Sequence, residues 1–162
     1  MSKDLYAGYS ISDFDKFDCL KLSKGIYLLL LFVLRGYIIW LISVTNMQDR
    51  VSTIQMMFPE TSMFYLSLLS GAIGLFMMLI ITLRKPEAPH WIKFCWRHCR
   101  KFLVVALCFD LLISSIGFFY WQIIPLNLLL SYGAIAIVFI VFLYRSQKVS
   151  LNFSEFPEKL PE

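Results

Sequence analysis

An all-α membrane bundle with four transmembrane helices is the fold class that the sequence predicts. Three observations predict it. Of 162 residues, 59% are hydrophobic, 17% aromatic and 16% charged, against ~45–50% apolar and ~25% charged in soluble domains. Four apolar runs each approach the ~20 residues a helix needs to cross a bilayer. Finally, the cations are segregated between alternate connections, as the positive-inside rule requires. Intrinsic disorder is excluded, since it needs low hydrophobicity and high net charge. A net charge of +4 is too mild to indicate nucleic acid as a partner.

The amino-terminal tail, residues 1–24, mixes Tyr6, Tyr9, Phe14 and Phe17 with Asp13, Asp15 and Asp18, a composition suited to lying along a lipid surface. The first span, Gly25–Val44, is not a cleaved signal: 24 residues with four aspartates precede it, and Ser43, Val44 and Thr45 lack the small-residue cleavage pattern. The second span, Ser62–Leu83, carries Ser67 and Gly71, then Ser70 and Gly74, overlapping small-residue pairs that let helices approach closely. The third, Phe102–Trp121, and the fourth, Leu126–Tyr144, are joined by a tight hairpin. Pro125 ends the turn and opens the last helix, where its missing amide hydrogen is tolerated. Together the spans make a transmembrane domain over residues 25–144. Each run is continuously apolar rather than alternating, which selects helices over barrel strands. The carboxyl tail, residues 145–162, carries Pro157 and Pro161 among charges and reads as frayed from Asn152.

Orientation follows from the cations. Lys3, Lys16, Lys21 and Lys24 precede the first span; Arg84, Lys85, Lys93, Arg97, Arg100 and Lys101 lie in the loop 84–101; Arg145, Lys148 and Lys159 follow the last span. The opposite side holds Arg50 alone, in the connection from Thr45 to Thr61. Both termini are therefore expected in the cytoplasm.

Chemistry is sparse. Arg35, ten residues into the first span, and Asp110, eight into the third, lie at matched depth if both helices run outward at ~1.5 Å per residue. An isolated charge there costs ~2.5–3.5 kcal/mol on insertion scales, so the two are expected to form an intramembrane ion pair. Its role is structural, or Asp110 exchanges a proton, or Arg35 meets an anion; otherwise the two charges face another subunit. In the loop, Lys93, Arg97, Arg100 and Lys101 share one helical face, while Trp91, Ile92, Cys95 and Cys99 fall mainly on another. That pattern suits an interfacial helix contacting lipid headgroups. His90, Cys95, His98 and Cys99 do not form a zinc pattern, because His98 adjoins Cys99 and the neighbouring cations repel a metal. No catalytic motif, metal site or cofactor motif is present.

The run FDCLKLSKGIYLLLLFVLRGY, from Phe17 to Tyr37, the FPE of Phe58–Glu60 and the LYRS of Leu143–Ser146 resemble the YfeZ-type small inner-membrane proteins of gammaproteobacteria, a family of unknown function. The chain departs from that pattern at Leu22 and Ser23, near which the family has a proline. The resemblance implies a bacterial inner membrane and no enzyme class. The expected function is thus a non-enzymatic component that associates with other membrane proteins or with itself. The alternative is a small oligomeric transporter that uses Asp110 as an ion- or proton-coupling site.

Overall fold

The computed structural model describes residues 9–10, 13–15, 19–45, 55, 58, 60–120, 122 and 124–157. Those residues build seven helices: α1 Lys24–Val33, α2 Arg35–Thr45, α3 Thr61–Thr82, α4 His90–Arg97, α5 Cys99–Phe119, α6 Leu126–Arg145 and α7 Gln147–Ser154. Expectations that rest on Lys3, Tyr6, Lys16, Phe17, Asp18, Arg50, Trp121 and Lys159 lie outside the described residues.

Helices α3, α5 and α6 are each long and apolar enough to cross a membrane, and α1 with α2 makes a fourth crossing if the pair acts as one. That pair corrects the expectation of an unbroken first helix. The chain bends by 65° at Leu34, leaving segments of 10 and 11 residues, each ~15–17 Å long. Gly36, just past the bend, supplies the local signal for a kink.

Packing contacts fix the helices as antiparallel neighbours. Gly36 sits on Ser67, Gly71 on Tyr37 and Val33, and Gly74 on Val33 and Leu34, so α3 runs opposite to α1 and α2. Met63 meets Gly117 near one end of the α3–α5 pair, and the rings of Phe76 and Phe102 meet near the other. Along α6, Phe142 packs on Gly25, Phe139 on Phe32, and the ring of Tyr132 lies over the Arg35 guanidinium. An apolar core joins α1, α3 and α5 through Ile26, Leu29, Val33, Met77, Ile80, Leu103 and Leu107. Ser67, Ser70, Gly71 and Gly74 are all buried in α3, and the three of them with defined contacts turn toward the bent crossing of the same chain. The Ser70 hydroxyl is buried without a hydrogen-bond partner among the described residues.

The α5–α6 hairpin needs a left-handed residue, and Gln122 takes it with φ 51°; Pro125 then precedes the first turn of α6.

At the other end of the bundle, segments expected to be loose are packed. Leu20 is fully buried, as are Val149 and Asn152 of α7, with Phe153 nearly so, so the tail does not fray at Asn152. An isolated antiparallel bridge pairs Phe14 with Leu20. Ser146 caps α7 by accepting from the Val149 amide.

A Cβ on Gly36 would stand 2.6 Å from Ser67 Oγ, whereas one on Gly133 meets nothing within 4 Å. Gly36→Leu should therefore destabilise the bundle by about 1–3 kcal/mol through overpacking, and Gly133→Ala should not. Thermal unfolding in detergent checks the contrast: equal effects at the two positions would refute this packing.

Candidate functional site

The bend in the first crossing places a charged side chain at the junction of α1 and α2. Arg35 opens α2, and its Nη1 donates to Phe32 O, at 3.4 Å, in the last turn of α1. The Leu34 amide reaches the same carbonyl, and a cation at a helix C-terminus offsets the helix dipole. The same Nη1 donates to Asp110 Oδ2 at 2.7 Å. The guanidinium carbon lies 4.8 Å from the ring centroid of Phe32 and 4.7 Å from that of Tyr132, a distance at which aromatic faces attract a cation. One guanidinium therefore joins α1, α2, α5 and α6.

Burial is uneven across the pair. The Asp110 side chain is 4% exposed and that of Arg35 23%. Asp110 sits on the inner face of α5, where Ser114 Oγ returns to the Asp110 carbonyl at 3.0 Å. A cavity of about 80 Å³ adjoins the pair. Ser67, Ser114 and Tyr132 give it polar walls, and Ile39, Met63, Ile113 and Leu128 apolar ones. Phe58 and Ile124 also line it, so it extends from the ion pair toward the end of the bundle that holds the α2–α3 and α5–α6 connections.

The basic loop is organised differently from one continuous amphipathic helix. His98 ends α4 and precedes α5, which puts Lys93 and Arg97 on one helix and Arg100 and Lys101 on the next. Lys93, Arg97 and Lys101 are exposed, and Arg100 is half-buried with its Nε unpartnered among the described residues. Trp91 is exposed beside Phe94, whereas Ile92 and Cys99 are buried. Among the described residues no three His, Cys, Asp or Glu side chains gather as a metal site would need.

Trp96 is the residue of this loop that composition did not single out, and it is 1% exposed. Its indole N–H is shared between Asn152 O at 3.1 Å and Glu155 O at 2.9 Å. Arg84 stacks on the indole at 4.5 Å and donates to Glu155 O at 3.4 Å. Phe153 meets the same ring edge-on. The Asn152 amide, oriented to suit its partners, donates to Leu20 O at 3.0 Å and Lys21 O at 3.3 Å, and accepts from Ser23 N at 3.0 Å. Glu155 Oε2 accepts from the Leu20 amide at 3.1 Å. Residues 20–23, the basic loop and residues 152–155 are thereby joined at one end of the bundle. Burial pushes the Cys19 thiol above its ordinary range, with the neighbouring Arg84 guanidinium pulling the other way. An Asn followed by an apolar residue in a polar tail gives no periodic signal, so neither partner of this joint was visible in sequence.

Three or four long apolar helices around an internal charge pair define a polytopic α-helical membrane protein. The chain belongs to the family described as "Protein of unknown function (DUF2919)", which matches residues 9–155. Neither the curated proteins nor the solved structures compared with it give a match.

Asn152→Leu removes three hydrogen bonds, those to Leu20 O, Lys21 O and Ser23 N. A loss of about 1–3 kcal/mol is expected, localised so that amide exchange at Lys21 to Ser23 accelerates while that of α5 does not. Unchanged exchange in this segment would show that Asn152 does not hold it.

Proposed function

We propose that this protein is a non-enzymatic component of a bacterial inner membrane, with both termini in the cytoplasm, that associates with other membrane proteins or with a second copy of itself. The observation that carries association is the uneven cover on the crossing helices. In their central windows α3 and α5 are 39% buried within the chain, but α6 only 11%. Leu130, Ile137, Val138 and Val141 of α6 are exposed, so one whole side of the bundle is open to a neighbouring helix as well as to lipid. The orientation rests on the cation distribution, since the two tails and the loop 84–101 carry thirteen of the fifteen Lys and Arg, and the described residues 20–23 and 149–155 meet that loop at one end of the bundle. Exposed Trp91 and Phe94 beside Lys93, Arg97 and Lys101 suit contact with lipid headgroups at that face. The resemblance to YfeZ-type proteins supports the bacterial inner membrane.

A small oligomeric transporter with Asp110 as the coupling site is the second possibility, supported by one observation. The cavity reaches Asp110 at the level where the first crossing breaks, and broken helices often form the binding sites of transporters.

In-membrane cross-linking followed by purification of the tagged full chain in mild detergent tests association. A reproducible partner or dimer is expected, lost when Ile137→Trp reshapes the open side of α6 and kept in Leu31→Trp on α1. Recovery of the monomer alone would overturn association. Fusion of a reporter after Glu162 tests orientation: fluorescence of a cytoplasm-dependent protein is expected, and periplasmic phosphatase activity would reverse the topology.

A further inference from the structure

Polar groups face the cavity beside the ion pair with no protein partner to satisfy them. Only Oδ2 of Asp110 is bonded to Arg35, and Asp110 Oδ1 makes no hydrogen bond among the described residues. The same holds for Ser67 Oγ and Tyr132 Oη, and the guanidinium uses Nη1 alone for its bonds. A polar group left unpaired away from water costs about 1–3 kcal/mol, and more when charged. Their residues line one cavity, so the cost would fall on a single site. In hydrocarbon, irregular backbone such as the bend at Leu34 is tolerated where it lines a cavity that can satisfy it.

The cavity's size matches that need. One water requires ~10–15 Å³ of such space, and about 80 Å³ is present. A cavity lined only by apolar groups stays dry, but this one has a carboxylate, a guanidinium and three hydroxyl-bearing side chains in its wall. Arg35 and Asp110 neutralise each other, so the site offers no net charge to retain a free ion. It offers donors and acceptors side by side.

We propose that the cavity is a hydration site: a small cluster of water molecules bridges Asp110 Oδ1, Ser67 Oγ and Tyr132 Oη and carries solvent from the connection-bearing end of the bundle to the ion pair. The pair is then solvated on one side and dry on the other, where Val33, Leu103 and Leu107 close the core. This deepens the transport possibility, which requires solvent at Asp110, and stands without it, because a hydrated ion pair is equally compatible with a protein that only binds partners.

Hydroxyl-radical footprinting of the wild-type chain in nanodiscs tests the site, with mass-spectrometric mapping of methionine and tyrosine oxidation. Radicals generated from water label side chains that touch water. Met63 and Met77 are 5% and 1% exposed, so outer accessibility does not separate them, but only Met63 lines the cavity. Met78 is 51% exposed on the apolar surface and serves as the lipid-facing control. Hydration predicts that Met63 is oxidised about tenfold faster than Met77 and faster than Met78, with Tyr132 labelled alongside it. Oxidation of Met63 at the rate of Met77 would mean a dry cavity and overturn the proposal, while leaving cross-linking through α6 untouched. Leu128→Trp, which enlarges a side chain of the cavity wall, should slow Met63 labelling toward the Met77 rate with the same helical content. Unchanged labelling in that variant would place the water elsewhere and also overturn it.

Discussion

The contact between Arg35 and Asp110 is the constraint around which the bundle is arranged. A guanidinium at the middle of an apolar helix is tolerated only if its charge and its donors are met. Asp110 meets the charge at 2.7 Å, and the Phe32 carbonyl with the rings of Phe32 and Tyr132 surrounds the rest. Each of these partners imposes something on the chain. Reaching Phe32 O favours ending α1 before Arg35; reaching Asp110 brings α5 against the bend; and the Tyr132 ring brings α6 over it. The bend in turn relies on α3, whose Ser67, Gly71 and Gly74 leave room for Gly36, Tyr37 and Val33.

The two ends of the molecule consequently differ in physical character. Toward the chain termini the helix core is apolar, and beyond it Trp96, Asn152 and Glu155 tie the amino-terminal segment, the basic loop and α7 together, beside a pocket lined by Asp15, Lys21 and Arg84. Toward the connections the interior opens into the cavity with polar walls. One end is held by many hydrogen bonds to backbone, which fix position without presenting chemistry. The other holds the intramembrane pair of Arg35 and Asp110 beside the hydroxyl-bearing Ser67, Ser114 and Tyr132.

The crossing helices were legible in sequence because each is a long apolar run, and nothing except a helix satisfies such a run in lipid. The pairing of Arg35 and Asp110 was legible too, since two opposite charges at matched depth have few alternatives in hydrocarbon. The bend was not read, although Gly36 stands beside Arg35, because hydropathy records composition and is blind to the direction of the helix axis. Neither was the joint at Asn152. Its three bonds run to the backbone of Leu20, Lys21 and Ser23, and backbone partners leave no trace in residue identity. Likewise the amphipathic pattern at 93–101 suggested one helix, and the break at His98 turned Ile92, Trp96 and Cys99 into core.

A double-mutant cycle on the ion pair tests the central claim most directly. Unfolding free energies would be measured for the wild type, Arg35→Met, Asp110→Leu and the double variant, in one detergent. If the two side chains meet inside the bundle, each single change strands a buried charge and costs about 3–5 kcal/mol, whereas removing both costs less than the sum. The account predicts a double variant no less stable than the worse single one. Additive losses, with no coupling between the positions, would contradict it.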